Sequence, residues 1–475
     1  MGTLHKILSV GGESLMNSRA AIDVTGHNIA NVNTEGYSKQ NAKLETKIPY
    51  RIGDKVFGAG AKLRGIYRAH DEFLEKQIVR EEGNFGFRNK LSEGLERLEG
   101  FFNTELSATI RDRFNNFFNT VRELANFPDE PSVRTNLVES GRALTQSFKK
   151  TYASIREVQQ DSSKQTFGVL KDISDKLGEI AELNQKIREV ETGAHSPVND
   201  YYDRRDFLVR KVSEAIGATY YFDGNSQMVV RGPGDTLLVD GNLAAKFRLE
   251  YQEEGTGQEP NVIMVGTDGE HTKDVTKVLG KGELGGLIQV RDKYAAGILN
   301  QLDILARDFA TEFNRVHNMG YGLGDYAERQ GRDFFDGLHL PGNAAENLEV
   351  NILVSNDIDA ISASLTPSAP GDNIVANELL RVSYNPVITG GTERIGEAYD
   401  RFVGQLGFDS REAQENKRSS EIIRSQLDTQ KQSMSGVSLD EEASNLLKYQ
   451  HTFNASSKII TTADELFETI IGLKR

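Results

Sequence analysis

Apolar positions at the start of the chain alternate by four and three: Leu4, Leu8, Gly11, Leu15, Ser18, Ile22, Thr25, Ile29 and Val32 form a heptad row, mostly aliphatic. The positions between them, among them His5, Lys6, Glu13, Asn17, Arg19 and Asp23, are polar. At the other end Leu439, Leu446, Phe453, Ile460 and Phe467 recur every seven residues, with Tyr449, Ala463 and Ile470 filling the seam. Gly436 breaks whatever helix precedes this row, and Ser438 with Glu441 three residues on reads as a capping box. Both ends therefore predict long amphipathic helices with narrow apolar stripes. Such stripes either dock on a globular core or pair with each other and then with copies of the chain, and periodicity alone leaves both open.

Between the ends the helical period continues. Leu91, Leu95, Leu98, Phe102, Ile110, Phe114, Phe117, Val121 and Leu124 predict helix over about 85–126, ended by Phe127-Pro128. From Pro131 to Gly193 no proline intervenes, and Leu137, Leu144, Phe148, Ile155, Val158, Ile173, Leu177, Ile180 and Ile187 keep the period. Unbroken, that segment spans ~90 Å. Residues 284–318 and 394–433 supply further helices to cover it. The stretch 217–283 differs: β-branched and aromatic runs surround Asp223-Gly224, Asp240-Gly241 and Asp268-Gly269, which are hairpin-turn dipeptides. Residues 319–371 are glycine-rich and mixed, with one expected strand, LEVNILV. The expected fold is mainly α with a β insertion: an elongated out-and-back chain, its terminal helices paired as a coiled coil, with a long helical bundle and a small antiparallel β domain.

Composition narrows the function classes. The 475 residues exceed one ordinary core, so several domains are expected. A net charge of −14 repels phosphate backbones and argues against a nucleic-acid partner. No run approaches the ~20 apolar residues of a membrane span, and no classical signal peptide is evident at the N-terminus. Zero cysteines remove disulfides, thiolate metal sites and thiol nucleophiles together. The eight histidines include no pair at ligand spacing, and Gly58-Ala59-Gly60 lacks the rest of a phosphate loop. Asp200, Asp203 and Asp206 suggest a cation site, but acids early in a helix complement its dipole, and Arg204 and Arg205 stand ready to neutralise them. No catalytic residue, cofactor site or metal site is assigned.

Directly after the first heptad row comes NIANVNTEGYSKQ, residues 28–40. Asn28, Asn31, Asn33 and Gly36 suit a helix end and turn, since Asn tolerates the left-handed region and Gly accepts positive φ. After Tyr37 the alternation of SKQNAKLET predicts a strand. This segment resembles the signature shared by the rod, hook and hook-associated proteins of the bacterial flagellum, and SGVSLDEEASNLLKYQHTFNASSKIITTADELFETIIGLKR resembles their closing segment. Four interior blocks, NDYYDRRDFLVRKVSEAIG, GELGGLIQVRD, LARDFATEFNRVHNMG and GRDFFDG, are similar to the FlgK family, which forms the hook–filament junction. The likeness is weakest over 240–280 and 338–393, and the latter stretch is too short for the further outer β domain of larger members.

That resemblance implies a structural subunit exported unfolded by the flagellar type III route, without a cleaved signal, to the extracellular flagellum. It implies as partners copies of itself in a ring, the hook protein on one side, the second junction protein and filament on the other, and an export chaperone. The expected division is 1–80 plus 436–475 as the terminal coiled-coil assembly domain, 81–195 plus 284–320 plus 372–435 as the helical rod, and 196–283 plus 321–371 as the outer β-rich domain. The residues expected to carry assembly are Leu4, Leu8, Leu15, Ile22, Ile29, Asn28, Asn31, Asn33, Gly36 and Tyr37 at one end, and Leu439, Leu446, Tyr449, Phe453, Ile460, Phe467 and Ile470 at the other. The alternatives are another axial protein, such as the hook or second junction protein, and a secreted coiled-coil adhesin.

Overall fold

The computed structural model describes residues 2–52, 54–102, 109–192, 198–225, 227–251, 259–338 and 343–472, and excludes the side chains of 2–4, 52, 191 and 192. Helix α1 (Gly2–Ala30) opens the chain. A turn leads into four strands, β1 (Gln40–Thr46), β2 (Tyr50–Ile52), β3 (Lys55–Phe57) and β4 (Ala61–Arg68), in which β1 pairs with β4 and β2 with β3 as nested antiparallel hairpins. Helix α2 (Glu72–Gly100) starts at Asp71, whose carboxylate accepts the N–H of Phe73 and Leu74. The segment 85–126 is not one helix. Helix α3 (Ile110–Asn126) has its own start, a capping box between Thr109 and Asp112. Helix α4 (Pro131–Thr192) runs 62 residues without a break, as its missing prolines predict.

Helix α5 (Asn199–Ile216) stops at Gly217, which takes the left-handed conformation. Strands β5 (Thr219–Phe222), β6 (Met228–Gly232), β7 (Thr236–Asp240) and β8 (Leu243–Ala244) form an antiparallel meander in that order. Strands β9 (Lys246–Glu250), β10 (Asn261–Val265) and β11 (Thr272–Asp274) form a second sheet with β10 in the centre. The three Asp-Gly dipeptides lie in the turns of these sheets. Helix α6 (Gly282–Gln289) passes through a π-helical turn at 290–295 into α7 (Ala296–His317). Short elements follow: β12 (Phe335–Asp336), α8 (Ala344–Asn347), β13 (Glu349–Val350), α9 (Ile352–Asn356) and α10 (Ile374–Arg381). LEVNILV is thus a strand for two residues only, because the Asn351 side chain caps a helix by accepting the Leu353 N–H. Helices α11 (Ile395–Ser435) and α12 (Leu439–Gly472) complete the chain.

Two cores lie along α4. Its first half packs with α3, α7 and α10 around a cluster of phenylalanines: Phe114 meets Phe309 edge-on at 4.9 Å, and Phe117 lies 5.2 Å from Phe313 and 5.6 Å from Phe335. Its second half, through Leu170, Ile173, Leu177 and Ile180, covers α5 and the inner faces of both sheets. Helix α2 bridges the two cores. It approaches α5 so closely that a Cβ at Gly86 would stand 2.1 Å from the Glu214 carbonyl oxygen, so only glycine fits there. The described residues of 321–371, expected beside 196–283, instead join the helical core: Phe334, Phe335, Leu348, Val350 and Ile361 are buried among the phenylalanines. Their polar anchors explain why. Asn314 on α7 donates to the Phe335 carbonyl and accepts both the Phe334 and Phe335 N–H groups, at 2.7–2.9 Å.

Candidate assembly interface

Helices α1 and α12 lie antiparallel along each other. Asn28 bonds Glu442 at 3.0 Å, the Ser14 and Ser456 hydroxyls meet at 2.7 Å, and Gly11 faces Ile460. The surface of α1 turned to α12 is the row Gly11, Ser14, Ser18, Ala21, Thr25 and Asn28. It shares Gly11, Ser18 and Thr25 with the heptad row, whose aliphatic members lie to one side of it. Small side chains let the two backbones approach, and Leu8, Leu15, Ile22 and Ile29 are left half-buried along one flank. The side chain of Leu4 lies outside the described residues. On α12 only Glu442, Ser456 and Ala463 are buried. Leu446, Tyr449, Ile460 and Phe467 are half-buried, while Leu439, Phe453 and Ile470 stay 52%, 37% and 39% exposed.

A second face of α1 carries the β1–β4 hairpin. Lys6 sits 3.7 Å over the Tyr50 ring, Val10 fills the space beside Gly60, Glu13 pairs with Lys47, and Asn17 donates to the Ala61 carbonyl at 2.7 Å. The helix pair and the hairpin thus form one unit, and its apolar rows remain open.

The unit is held to the rest of the molecule where NIANVNTEGYSKQ turns. Asn28, 1% exposed, uses its whole amide. Its Nδ2 donates to the Gln40 carbonyl (2.9 Å) and to Glu442 (3.0 Å), and its Oδ1 accepts from the Gln40 N–H (2.9 Å) and the Tyr37 hydroxyl (2.7 Å). Asn31 closes the turn by donating to the His27 carbonyl (3.0 Å) and accepting from Thr34 (3.1 Å). Asn33 is exposed. Gly36, at φ +87°, lies against Phe207 of α5, and a Cβ there would meet the Phe207 side chain at 3.0 Å. Burial raises the pKa of Tyr37, and the carboxylates of Asp200, Asp203 and Glu442 add to that, so its phenol stays a donor.

Charged residues complete the joint. Lys39 reaches Glu441 (2.8 Å) and Glu442 (3.1 Å), while its N–H donates to the Ser435 carbonyl (2.9 Å). Glu441 therefore serves Lys39 rather than closing the expected box with Ser438, although α12 does begin at Leu439. Burial disfavours the Lys39 charge, but these carboxylates outweigh it and hold the ammonium pKa up. Asp203 accepts from the Ser38 N–H (3.0 Å) and from Arg68 (3.0 Å), and Asp206 pairs with Arg68 at 2.6 Å. Asp200 accepts from Gln40 at 2.8 Å. The three aspartates thus bind the turn and the hairpin, and Arg68 is the neutralising partner of Asp203 and Asp206. Arg204 pairs with Glu179 and Arg205 bonds Asn184 instead. Burial raises the Asp203 pKa even so, against the pull of Ser38 and Arg68. Sequence reasoning passed over Lys39, Arg68 and Glu442, since single charges beside turns have no period; their one signal is their place within or next to the two terminal motifs.

The antiparallel pair of first and last helices is thus joined to the helical body through an Asn-rich turn. Profiles of the flagella basal body rod proteins match residues 8–37, and that of the basal body rod FlgEFG C-terminal segment matches 430–473. The helical domain of the flagellar hook-associated protein FlgK matches residues 95–335, half of the chain, and the protein belongs to that family. Hook-associated protein 1 of Bacillus subtilis is 27% identical to it, covering 98% of this chain and 97% of the relative. Its counterpart in Salmonella typhimurium is 23% identical, covering 96% and 98%. The solved structure of the hook junction protein FlgK from Burkholderia pseudomallei superposes with a TM-score of 0.67 at 13% identity, over 76% of this chain and all of that one, which shows a shared fold.

Proposed function

We propose that this chain is a non-enzymatic structural subunit at the junction of hook and filament, and that it polymerises through α1 and α12. The observation that carries the reading is the unfinished helix pair. Helix α12 buries three of its 34 residues, and an apolar groove of about 320 Å³ lies open between Ile7, Ile459, Ala463 and Leu466. In this reading a second copy fills the groove with the half-buried flank of Leu8, Leu15 and Ile22, and Phe453, Phe467 and Ile470 face further neighbours. Each aliphatic side chain so covered contributes roughly 1.5–3 kcal/mol before ordering costs.

The relatives' names carry the hook as a partner; in this reading the others are further copies in a ring, and the second junction protein with the filament on the side away from the hook. Export unfolded, with a chaperone and without a cleaved signal, belongs to the same reading. We further infer three parts: 1–80 plus 436–475 for assembly, a helical rod of 81–195, 284–320 and 372–435 that also holds 321–371, and an outer β part within 196–283.

Leu15→Asp and Phe453→Asp test the reading, because each puts a charge into a surface that a neighbour would cover. Both variants should keep the circular dichroism of the parent yet leave hooks without filaments and cells without swimming. Normal motility in both would refute assembly through these faces.

A further inference from the structure

We propose that the buried Glu442 carboxylate, held by Asn28 and Lys39, fixes the register in which the two terminal helices pair. The inference rests on the assembly reading only for where the pair is observed, since the contact lies within one chain.

The seam itself gives little choice of register. The α1 side offers Gly11, Ser14, Ser18, Ala21 and Thr25, none of which is a large knob. The α12 side repeats by seven through Tyr449, Ser456 and Ala463. A slip of one heptad would set Ser14 against Ala463 or Tyr449, and the steric fit it would break is that of Gly11, where a Cβ would stand 2.9 Å from Ile460.

The contact at one end is different in kind. Glu442 is 1% exposed, and its carboxylate takes the Asn28 amide at 3.0 Å and the Lys39 ammonium at 3.1 Å. Slipped one way, Glu442 would lie beside Ala21, which has no side-chain donor. Slipped the other way, the Asn28 amide would meet Tyr449, and Lys39 would lose its carboxylate. A buried charge without its partner is strongly unfavourable, whereas the native register satisfies both groups. A single buried polar position sets register in coiled coils for the same reason. The Lys39 N–H, bonded to the Ser435 carbonyl at 2.9 Å, holds the start of α12 to the same alignment.

The absence of cysteines from the sequence allows a direct reading by paired cysteine substitutions. Ser14→Cys with Ser456→Cys reports the native register, whose hydroxyls are 2.7 Å apart. Ser14→Cys with Ala463→Cys, or with Tyr449→Cys, reports a slip either way. Oxidised on filament-bearing hooks, the native pair should close at least about tenfold more than either slipped pair. Asn28→Leu with Glu442→Leu removes both polar groups while keeping the site apolar, and should bring the pairs towards equal yield. Glu442→Gln keeps an acceptor for Asn28 and should retain the parent ratio. Native crosslinking alone in the double leucine variant, or equal crosslinking in the parent, would overturn the proposal. Should the cysteine parents bear no filaments, the ratios are read on the purified chain, where a native excess supports the proposal and equal yields overturn it, while the assembly reading is judged by the motility of Leu15→Asp and Phe453→Asp alone.

Discussion

His317 lies wholly buried at the end of α7, with its Nδ1 donating to the Arg332 carbonyl at 2.7 Å and its Nε2 accepting the Ser362 N–H at 2.9 Å. The two bonds require the neutral ring, and burial lowers its pKa from 6.5 to about 4. The unfolded chain therefore takes up a proton before the folded one does. The stability that His317 contributes is complete above pH 6.5 and is lost as pH falls towards 4, by roughly 3 kcal/mol. Asp303 works the other way: burial raises its pKa to about 6, so its contribution improves on acidification through the same range. His317→Gln should flatten the loss while leaving the Asp303 effect in place. The check is urea unfolding at several pH values, with the difference between parent and variant shrinking by roughly 3 kcal/mol from pH 7 to 4. A constant difference would contradict the neutral-ring assignment. His317, Asn314 and Asn318 come from one of the family-like blocks and their partners from GRDFFDG. Sequence shows both blocks but not their contact, because a hydrogen bond between residues 15 to 21 positions apart leaves no period to read.

The long helices were legible for physical reasons that the structure bears out. Helix α4 has an apolar period, proline at its first position and none within, so nothing interrupts it. The break between α2 and α3 was not legible, since Leu98, Phe102 and Ile110 stay in phase across it and only the Thr109–Asp112 box betrays a new start. The seam of α1 was legible in part: the heptad row includes Gly11, Ser18 and Thr25, which lie on the face turned to α12, while its aliphatic members lie on the flank, because close approach selects small residues. The π-helical turn at 290–295 had no signal either; in it the Arg291 carbonyl accepts from Gln159 of α4 at 3.0 Å. Elements that meet at the phenylalanine cluster should be the most sensitive to truncation. Phe117, fully buried between α3, α7 and β12, should cost about 3–5 kcal/mol as Phe117→Ala, read by urea unfolding. Phe127→Ala, a change at a 60% exposed side chain, should stay within about 0.5 kcal/mol.

At the scale of the molecule, the chain runs out along α2 to α4, through two sheets, and back along α7 and α11, so that its first and last helices meet. The helical body has two buried cores, whereas the terminal pair has a thin seam of small residues and much open apolar surface. That contrast in burial predicts a contrast in stability, with the body the more stable part and the ends the more easily opened in the isolated chain. Limited proteolysis with mass spectrometry, applied to the dilute isolated chain and to the assembled junction, measures this directly. The isolated chain should be cut first within residues up to about 40 and beyond about 436, with 81–435 resistant, and the assembled form should be protected at both ends. Ends that resist cleavage in the dilute chain as well as the body does would contradict the account.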